Sequence, residues 1–469
     1  MFDINLALEE INNFIYIYIL VALLIVCGFY FTCKSKFAQI RFFPDSIKFL
    51  LDKSSGKKVS SFQALMVSTA TKVGTANIAG VATAIAIGGP GTIFWMWVMA
   101  IINSASSMAE ATLAQIYKRK DEKNDSFVGG PAYYIDRALG KKKLGTLFSC
   151  LFLVCFLIGF NSFQASNMST ALTYYIPGYF HTVWPYIVAV VFAALVACVV
   201  FGGIHRISFV SSYLVPIMAM GYILMGLYLI ITNITHVPAA CRAIVSSAFN
   251  LRSIFGGVTG SVLIIGIKRG LLSNEAGMGS APNAAATADV SHPAKQGIAQ
   301  ILAVCIDTIL ICSISAFILL LSNADLRSGE IGMPLMQEAI SLHLGDWGVH
   351  FITLSIVTFA FSAIVGNFGI CETNMYFITK NQKIIKTIRV ISILPVALGC
   401  LAGILDPMIA WNLAEVTMAF IACLNIIAIL LLSNRYFACL KDYIEQRKLG
   451  KDPVFNAPAC GINDTDLWK

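Results

Sequence analysis

Five ionisable side chains stand inside long apolar stretches of this sequence, where a charge is costly to bury. They are Lys72, Glu110, Asp307, Glu372 and Glu415. A charge at the centre of a bilayer costs about 3 kcal/mol or more, so such residues are typical of sites that bind ions or move protons. Asp307 and Glu415 lie deepest and are the stronger candidates. Glu110 and Glu372 lie near helix ends, where pairing with basic loop residues explains them as well.

Two of the apolar stretches are interrupted by glycine, one in each half of the chain. The first interruption is the segment 72–77, Lys-Val-Gly-Thr-Ala-Asn, and the second comprises Gly256, Gly257, Gly260 and Gly266. A broken membrane helix leaves N–H and C=O groups without partners unless a bound substrate and a cation satisfy them. Matched interruptions therefore predict a central transport site. The alternative is that these glycines only let helices pack closely.

The composition predicts that lipid surrounds most of the chain. Of its 469 residues, 57% are hydrophobic and only 12% are charged, against about 25% charged residues in soluble domains. This excludes a soluble enzyme. The formal charge of +8 is better explained by basic loops on one side of a membrane than by a nucleic-acid surface. No nucleic-acid partner is therefore expected.

About eleven stretches are long and apolar enough to cross a bilayer, which takes roughly 20 residues each. They run over 14–33, 62–87, 93–117, 144–171, 184–201, 207–231, 254–272, 298–321, 349–378, 390–405 and 408–432. With the N-terminus outside and the C-terminus in the cytoplasm, nearly all Lys and Arg fall on the cytoplasmic side. The exceptions are Lys72, Arg242, Arg252 and Arg327. The acidic N-terminal residues argue against a removable signal peptide.

The same stretches predict an all-α membrane protein with an internal repeat. We expect an extra N-terminal helix and basic linker over 1–60, a five-helix repeat over 61–232, a second over 254–432 and a cytoplasmic tail over 433–469. Because each repeat has an odd number of helices, the second would be inverted relative to the first. The loop 118–143 predicts a turn that leads into a short interfacial helix.

The 13 cysteines predict neither disulfides nor a zinc site, because most lie in apolar stretches and none forms a CxxC pair. Only Cys241 falls in a loop assigned to the outside. No catalytic signature such as HExxH or GxSxG occurs, so no enzyme, metal or resident cofactor is expected. No filter-like loop predicts a channel, and nothing specifies an oligomeric state.

The segment 269–282, Arg-Gly-Leu-Leu-Ser-Asn-Glu-Ala-Gly-Met-Gly-Ser-Ala-Pro, closely resembles the signature of the alanine or glycine:cation symporter family. Shorter matches follow in order at 62–65, 77–82, 88–91, 128–131, 292–293, 296–297 and 453–455. The resemblance implies the inverted-repeat fold of the bacterial leucine transporter with one extra N-terminal helix. It also implies uptake of alanine or glycine, coupled to sodium or protons, without covalent chemistry.

The resemblance places the substrate at the first interruption. Gly74, Thr75 and Asn77 fall on the family's Gly-Thr-Gly-Asn motif, with Ala76 in place of the second glycine. Half-helix ends there would offer N–H groups to the substrate carboxylate and C=O groups to its ammonium. Gln164 aligns with a glutamine that resembles a substrate contact. A hydrogen bond between helices is its alternative role.

The coupling cation is expected beside the same break. The candidates are the carbonyl groups of Ala70 and Val73, the hydroxyl of Ser362 and the carboxylate of Asp307. The family often carries two adjacent hydroxyl residues where this chain has Ser362 followed by Ala363, so one hard oxygen ligand is missing. Sodium coupling is therefore expected to be weakened.

Lys72 and Asn367 further mark a divergent member of this family. Asn367 stands where members often carry Trp, which predicts a different substrate preference. Lys72 would place an ammonium at the negative end of the first half-helix. We hypothesise that Lys72 acts as a tethered cation in place of sodium or as a proton carrier. Static pairing with Asp307 or Glu415 is the alternative.

Glu275 follows the helix end that carries Lys268 and Arg269. This position predicts an ion-paired residue of an intracellular gate, with Arg269 as its partner in that gate. The sequence as a whole predicts a plasma-membrane carrier of a small amino acid by cation symport. The alternatives are a sensor that binds an amino acid without moving it and a sodium-independent carrier of another small amino acid.

Overall fold

The computed structural model describes residues 4–49, 59–121, 126–250, 261–322, 324–326, 329–401, 403–404 and 407–468. Within these ranges, seven helices are long and apolar enough to cross a membrane, or eight if the bent pair Ser61–Lys72 and Thr75–Gly88 counts as one span. This confirms an all-α, multi-pass membrane protein. The count of about eleven spans, the inverted repeat and the domain boundaries stay predictions.

The helices that precede residue 250 are numbered α1 to α13. In chain order they are Ile4–Ile15, Val21–Lys34, Ala38–Arg41, Phe43–Lys48, Ser61–Lys72, Ala79–Gly88, Gly91–Ile116, Pro131–Leu139, Lys142–Leu153, Asn161–Ala171, Trp184–Val200, Gly203–Thr232 and Val237–Ala248. π-Helical segments over Tyr16–Leu20 and Val154–Phe160 join α1 to α2 and α9 to α10. Each joined pair is a single long span.

The helices after residue 260 are numbered α14 to α22. They are Val262–Asn274, Ala281–Ala285, Pro293–Val304, Ser313–Leu321, Met333–Ile378, Gln382–Ile391, Leu394–Cys400, Pro407–Leu431 and Ser433–Lys448. A third π-helical segment, Cys305–Cys312, joins α16 to α17. Gly345, at φ 61°, divides α18 because a left-handed residue does not continue a right-handed helix. The crossing predicted over 349–378 lies beyond this break.

The structure differs from the sequence-based segments at three places. Residues 237–248, predicted to lie in an external loop, form α13, and the carbonyl of Ala248 accepts a hydrogen bond from Trp95 of α7 at 3.3 Å. The loop 118–143 contains the predicted helix α8, but also an antiparallel hairpin of Arg119–Asp121 and Ser126–Val128. The described part of the stretch 390–405 is not one helix, because a new helix, α20, begins at Leu394 with Pro395 in its first turn.

The first interruption is a real break between α5 and α6. α5 begins with a reciprocal capping box, in which Ser60 and Gln63 each accept the other's backbone N–H at 3.1 Å. After Lys72 the backbone at Gly74 is extended, and a 3₁₀ turn over Thr75–Asn77 leads into α6. The two helices are bent by 59°. The predicted pair of half-helices is therefore confirmed for this half of the chain.

Of the second interruption, Gly256, Gly257 and Gly260 lie outside the described residues, as do Arg252 and Arg327. Gly266 lies within the uninterrupted helix α14. A Cβ there would meet the carbonyl oxygen of Thr92 and the Cβ of Trp95, both at 2.7 Å. The prediction that Gly266 belongs to a helix break is wrong. It is a packing glycine that lets α14 approach α7.

The segment after α22, part of the predicted cytoplasmic tail, is packed against the ends of several helices. Asp452 pairs with Lys295 of α16 at 2.7 Å, and Asp466 pairs with Arg137 of α8 at 2.8 Å. The indole N–H of Trp468 donates to the carbonyl of Gln115 at 2.8 Å. The tail therefore joins α7, α8 and α16 on one side of the molecule.

His292 begins α16 and connects it to α22. Its Nδ1 accepts the backbone N–H of Ala294 at 3.1 Å, and its Nε2 lies 3.1 Å from a carboxylate oxygen of Asp442. The ring is buried against Tyr443 and Phe455. Burial lowers the pKa of His292 from 6.5 to about 4. The neutral imidazole is the form that caps this helix, because protonated Nδ1 accepts no hydrogen bond.

Acidification is expected to destabilise the protein through His292. Its neutral form contributes stability that is complete above pH 6.5 and is lost as the pH falls toward about 4, at up to about 1.4 kcal/mol per pH unit. Melting temperatures of the detergent-solubilised protein at pH 7 and pH 4.5 test this. His292→Asn keeps an N-cap acceptor and removes the titration. Equal losses in both proteins on acidification would contradict the assignment.

Candidate functional site

Gln164 of α10 contacts the break between α5 and α6. Its Oε1 accepts the backbone N–H of Thr75 at 2.8 Å, and a Cβ on Gly74 would lie 2.4 Å from its Nε2. A larger residue at position 74 would therefore displace the amide of Gln164 from this contact. The hydroxyl of Thr75 accepts a hydrogen bond from Asn167, one turn further along α10, at 3.1 Å. Gln164 thus forms a hydrogen bond between two helical segments, and this hydrogen bond lies at the predicted substrate site.

Asn77 links the break to the π-helical segment between α16 and α17. Its amide donates to the carboxylate of Asp307, and its Oδ1 lies 3.4 Å from the backbone nitrogen of Gly74. Asp307 also accepts hydrogen bonds from Ser273 of α14 and from Thr308 at 2.9 Å. One buried carboxylate thus fixes the positions of three helical segments. The structure brings Asp307 to the substrate motif rather than to Ser362.

Lys72 is buried among carboxylates from other segments of the chain. Its ammonium interacts electrostatically with Glu275, Glu110 and Asp307, most strongly with Glu275. Its Nζ has no hydrogen-bond partner among the described residues. No ion pair joins it to Asp307 or Glu415 in this part of the chain. The described structure therefore shows no direct ion pair of Lys72 with either residue, although the charge of Asp307 acts on it.

Glu110 of α7 accepts hydrogen bonds from the loop after α14. Its two oxygens accept the backbone N–H groups of Gly277 at 3.2 Å and Gly279 at 3.1 Å, and the amide of Asn425 at 2.7 Å. Both glycines have φ above 80°, a region that L side chains rarely adopt. The expected pairing of Glu110 with basic loop residues is wrong. Glu372 does pair with one, Arg389, at 2.8 Å, which confirms that expectation.

Glu275 occupies the first position beyond α14 in a left-handed conformation, at φ 54°. Its carboxylate accepts hydrogen bonds from Thr71 of α5 at 3.2 Å and from Ser280 at 2.5 Å. The expected ion pair with Lys268 or Arg269 is absent from the described structure. Glu275 instead interacts electrostatically with Lys72 of α5.

Lys268 and Arg269 instead face the first membrane span. Lys268 pairs with Glu415 at 2.6 Å and lies 4.9 Å from the centre of the Tyr16 ring. Glu415 also accepts the amide of Asn12, and Arg269 interacts with Glu415 and Tyr16. This cluster connects the first membrane span to α14 and α21.

The last turn of α5 packs closely on α18 beside the expected cation ligands. A Cβ on Gly366 would lie 3.0 Å from both the Cβ of Ala70 and the backbone nitrogen of Thr71. The hydroxyls of Ser362 and Thr69 are buried, and neither has a hydrogen-bond partner in the part of the chain described. Val73 ends the helix with ψ 86°, so its carbonyl group does not point along the helix axis as the carbonyls of α5 do. Hard oxygen atoms thus adjoin the break on the α18 side.

Several residues around the break were not found from the sequence. They include Ser273, Thr71 and Asn425, which are polar residues within apolar helices. A single hydroxyl or amide in such a helix is common, so it does not indicate a functional site. The Gly277 and Gly279 pair carried a signal, because glycines spaced by two in a loop form a nest of N–H groups for an anion. Nothing in the spacing indicated that the anion is Glu110.

The chain matches known proteins over nearly its full length. A family model described as the sodium:alanine symporter family matches residues 1–457. The amino-acid carrier protein AlsT of Bacillus subtilis is 44% identical over 460 residues, covering 98% of this chain and 96% of the relative. The probable sodium/glutamine symporter GlnT of the same organism is 42% identical over 447 residues, covering 95% and 91%.

A solved structure resembles the chain in fold. The crystal structure of MhsT in complex with L-phenylalanine superposes with a TM-score of 0.59 at 13% sequence identity, covering 81% of this chain and 90% of that one. At this identity the likeness shows the fold alone. Since MhsT has the leucine-transporter fold, an all-helical fold of that type is confirmed, whereas the helix count and the inverted five-helix repeats stay predictions.

Replacing Lys72 by Met is expected to lower the free energy of unfolding by about 3 to 5 kcal/mol, because it leaves buried carboxylates without their cation. Chemical denaturation in detergent measures this. Lys48→Met is the matched control, since Lys48 is 73% exposed and its loss should cost at most about 0.5 kcal/mol. Adding Glu275→Gln to Lys72→Met should recover part of the loss. Equal stability of Lys72→Met and wild type would refute the electrostatic role.

Proposed function

Because the chain belongs to the sodium:alanine symporter family, we propose that it carries a small neutral amino acid, such as alanine or glycine, across the plasma membrane by cation symport. Membership of this family supports the symport of an amino acid in general. The small neutral substrate, the plasma membrane and the choice of cation are the parts that we propose. The proposal gives the protein no enzymatic step.

The observation that carries this proposal is the break at Gly74, Thr75, Ala76 and Asn77. Two half-helix ends meet there, and their dipoles suit the carboxylate and the ammonium of a zwitterion. Gln164 already holds the Thr75 N–H at 2.8 Å, so its movement would free a donor for the substrate carboxylate. This gives Gln164 a role in opening the site as well as in packing.

Sodium is the first candidate for the coupling ion. The carbonyls of Ala70 and Val73 lie at the end of α5, and the unpartnered hydroxyls of Ser362 and Thr69 are buried nearby in the described structure. Carbonyl and hydroxyl oxygens are ligands that hard cations accept. Thr69 would supply the oxygen that Ala363 lacks. A sodium ion here would also satisfy the C=O groups left free by the break.

A proton is the second candidate, and the group around Lys72 favours it. Three carboxylates, those of Glu275, Glu110 and Asp307, face this one ammonium. If all ionise, they leave excess negative charge in a membrane interior, which is costly. Uptake of a proton by one of these carboxylates would remove one negative charge and so lower that cost. In this second candidate Lys72 and Asp307 are proton carriers rather than a tethered cation.

We further propose that Glu275 belongs to the intracellular gate. It joins Thr71 of α5 to the loop after α14 through hydrogen bonds, so separating the two segments breaks those bonds. Arg269 would act from the neighbouring cluster with Glu415 and Tyr16. The topology that we propose keeps the N-terminus outside, the repeats at 61–232 and 254–432, and the tail in the cytoplasm.

Accumulation of radiolabelled alanine in proteoliposomes tests the function and separates the two cations. We expect uptake to be driven by an inward sodium gradient, because the hydroxyl and carbonyl groups at the break can bind sodium. If the proton candidate holds, a proton gradient drives uptake instead, and Lys72→Thr shifts the dependence toward sodium. Binding of alanine without accumulation under either gradient would reject transport and favour a sensor. Uptake without either gradient would favour a sodium-independent carrier.

Gly74→Ala is expected to reduce alanine uptake at least tenfold, because its Cβ would lie 2.4 Å from Gln164 Nε2 and would displace the amide that holds the Thr75 N–H. Gly80→Ala is the matched control in the same bent pair, where the nearest atom to an added Cβ is 3.6 Å away. Initial rates in proteoliposomes, corrected for protein amount, measure the difference. Comparable losses in the two variants would argue against a role of the break in transport.

A further inference from the structure

The short helix α19 has one packed side and one exposed side. Ile385 is buried in the main hydrophobic core, whereas Ile384 and Ile391 are exposed. Lys383 and Lys386 are exposed as well. The exposed side therefore presents both apolar and basic groups. A helix with this distribution is typical of the boundary between lipid headgroups and acyl chains.

A buried ion pair fixes the orientation of α19. Arg389 contacts Glu372, in the last two turns of α18, at 2.8 Å, and both side chains are largely buried. The charge of Arg389 is thus balanced within the protein. Because this pair and Ile385 hold the packed side against the protein, Lys383 and Lys386 face away from it.

Six exposed lysines form a basic patch at this end of the molecule. They are Lys141, Lys142, Lys143, Lys380, Lys383 and Lys386. The contact of α9 with α18 brings the two groups of three together, since a Cβ on Gly145 would lie 3.0 Å from the ring of Phe377. The sequence contains no acidic residue between Glu372 and Asp406, and no ion pair neutralises the six lysines in the described structure. The basic patch therefore has an unbalanced positive charge.

The stability of the local helices does not account for this patch. Lys142 and Lys143 lie in the first turn of α9, where the helix dipole disfavours cations. The exposed side chains of Ile384 and Ile391 adjoin the lysines of α19 and require an apolar environment. An anionic phospholipid supplies acyl chains for the isoleucines and a negative headgroup for the lysines in one molecule.

We propose that the basic patch binds the headgroups of anionic phospholipids and that α19 lies in the interface of the cytoplasmic leaflet. Clusters of about four to eight basic residues on an amphipathic helix beside a membrane span are typical of such binding. Through Arg389 and Glu372 the bound lipid holds the end of α18, the helix that carries Ser362 and Gly366 beside the break. This inference rests on the proposed topology, in which α18 ends in the cytoplasm, and is independent of the substrate and the coupling ion.

The melting temperature of the purified protein in mixed micelles tests this binding. Phosphatidylglycerol is expected to raise it by about 5 °C more than phosphatidylcholine does at the same concentration, because only phosphatidylglycerol carries a net negative charge. Salt at about 0.5 M should remove most of that difference, since exposed charges are screened. Glycerol phosphate, the same headgroup without acyl chains, should have little effect. Equal shifts with the two lipids would overturn the proposal, as would a full shift with glycerol phosphate.

Two double variants with the same change in charge locate the site. Lys383→Gln/Lys386→Gln removes two of the six charges of the basic patch and is expected to lose at least about a third of the phosphatidylglycerol shift. Lys448→Gln/Lys451→Gln is the matched control, because it removes two exposed charges from α22 and the segment after it, and it should keep the full shift.

The melting temperature of each variant without lipid shows whether it folds. The same lipid shift in both double variants would contradict the assignment to α19. If alanine fails to accumulate in proteoliposomes while phosphatidylglycerol still stabilises wild type selectively, transport is refuted and the lipid site stands.

Discussion

The arrangement around the break depends on how buried charges are satisfied in a low-dielectric interior. Each of the carboxylates of Glu110, Glu275 and Asp307 accepts two or three hydrogen bonds, and most of these come from other segments of the chain. The ammonium of Lys72, which they surround, has none in the described structure. Hydrogen bonds fix the positions of the carboxylates, whereas only electrostatic attraction acts on the ammonium of Lys72. A small change in the positions of α7, α14 or α16 therefore changes the energy of Lys72 directly.

The sequence predicted well what depends on local pattern. Apolar length predicted the long spans, and the run from Lys72 to Asn77 predicted the break, because glycine and polar residues do not continue a membrane helix without cause. Pairings between distant segments could not be predicted. The spacing of Glu110 said nothing of Gly277 and Gly279, which lie far along the chain. Gly266 could not be distinguished from a glycine that interrupts a helix. Close helix packing and helix interruption both place a glycine within an apolar stretch, so the sequence pattern is the same.

The site combines two kinds of chemistry on opposite sides of α5. On one side, Lys72 and its carboxylates hold charge that a moving proton or cation can alter. On the other, the side toward α10 and α18, amides and hydroxyls predominate. Asn77 connects the two, since its amide bonds Asp307 and its oxygen lies near the Gly74 N–H. A change in charge on one side can thus act on the backbone of the break, where we propose that the substrate binds.

The π-helical segments within three of the long spans have a consequence for comparing this chain with its relatives. A π-helical turn holds one residue more than an α-turn, so the segments Val154–Phe160 and Cys305–Cys312 each set the helix face on which Asn161 or Asp307 lies. A relative lacking either turn would be shorter by a single residue in mid-membrane. An alignment without that gap would match Asp307 or Asn161 to the wrong face. Length differences of one residue inside a span are therefore meaningful in this fold and should be aligned at these turns.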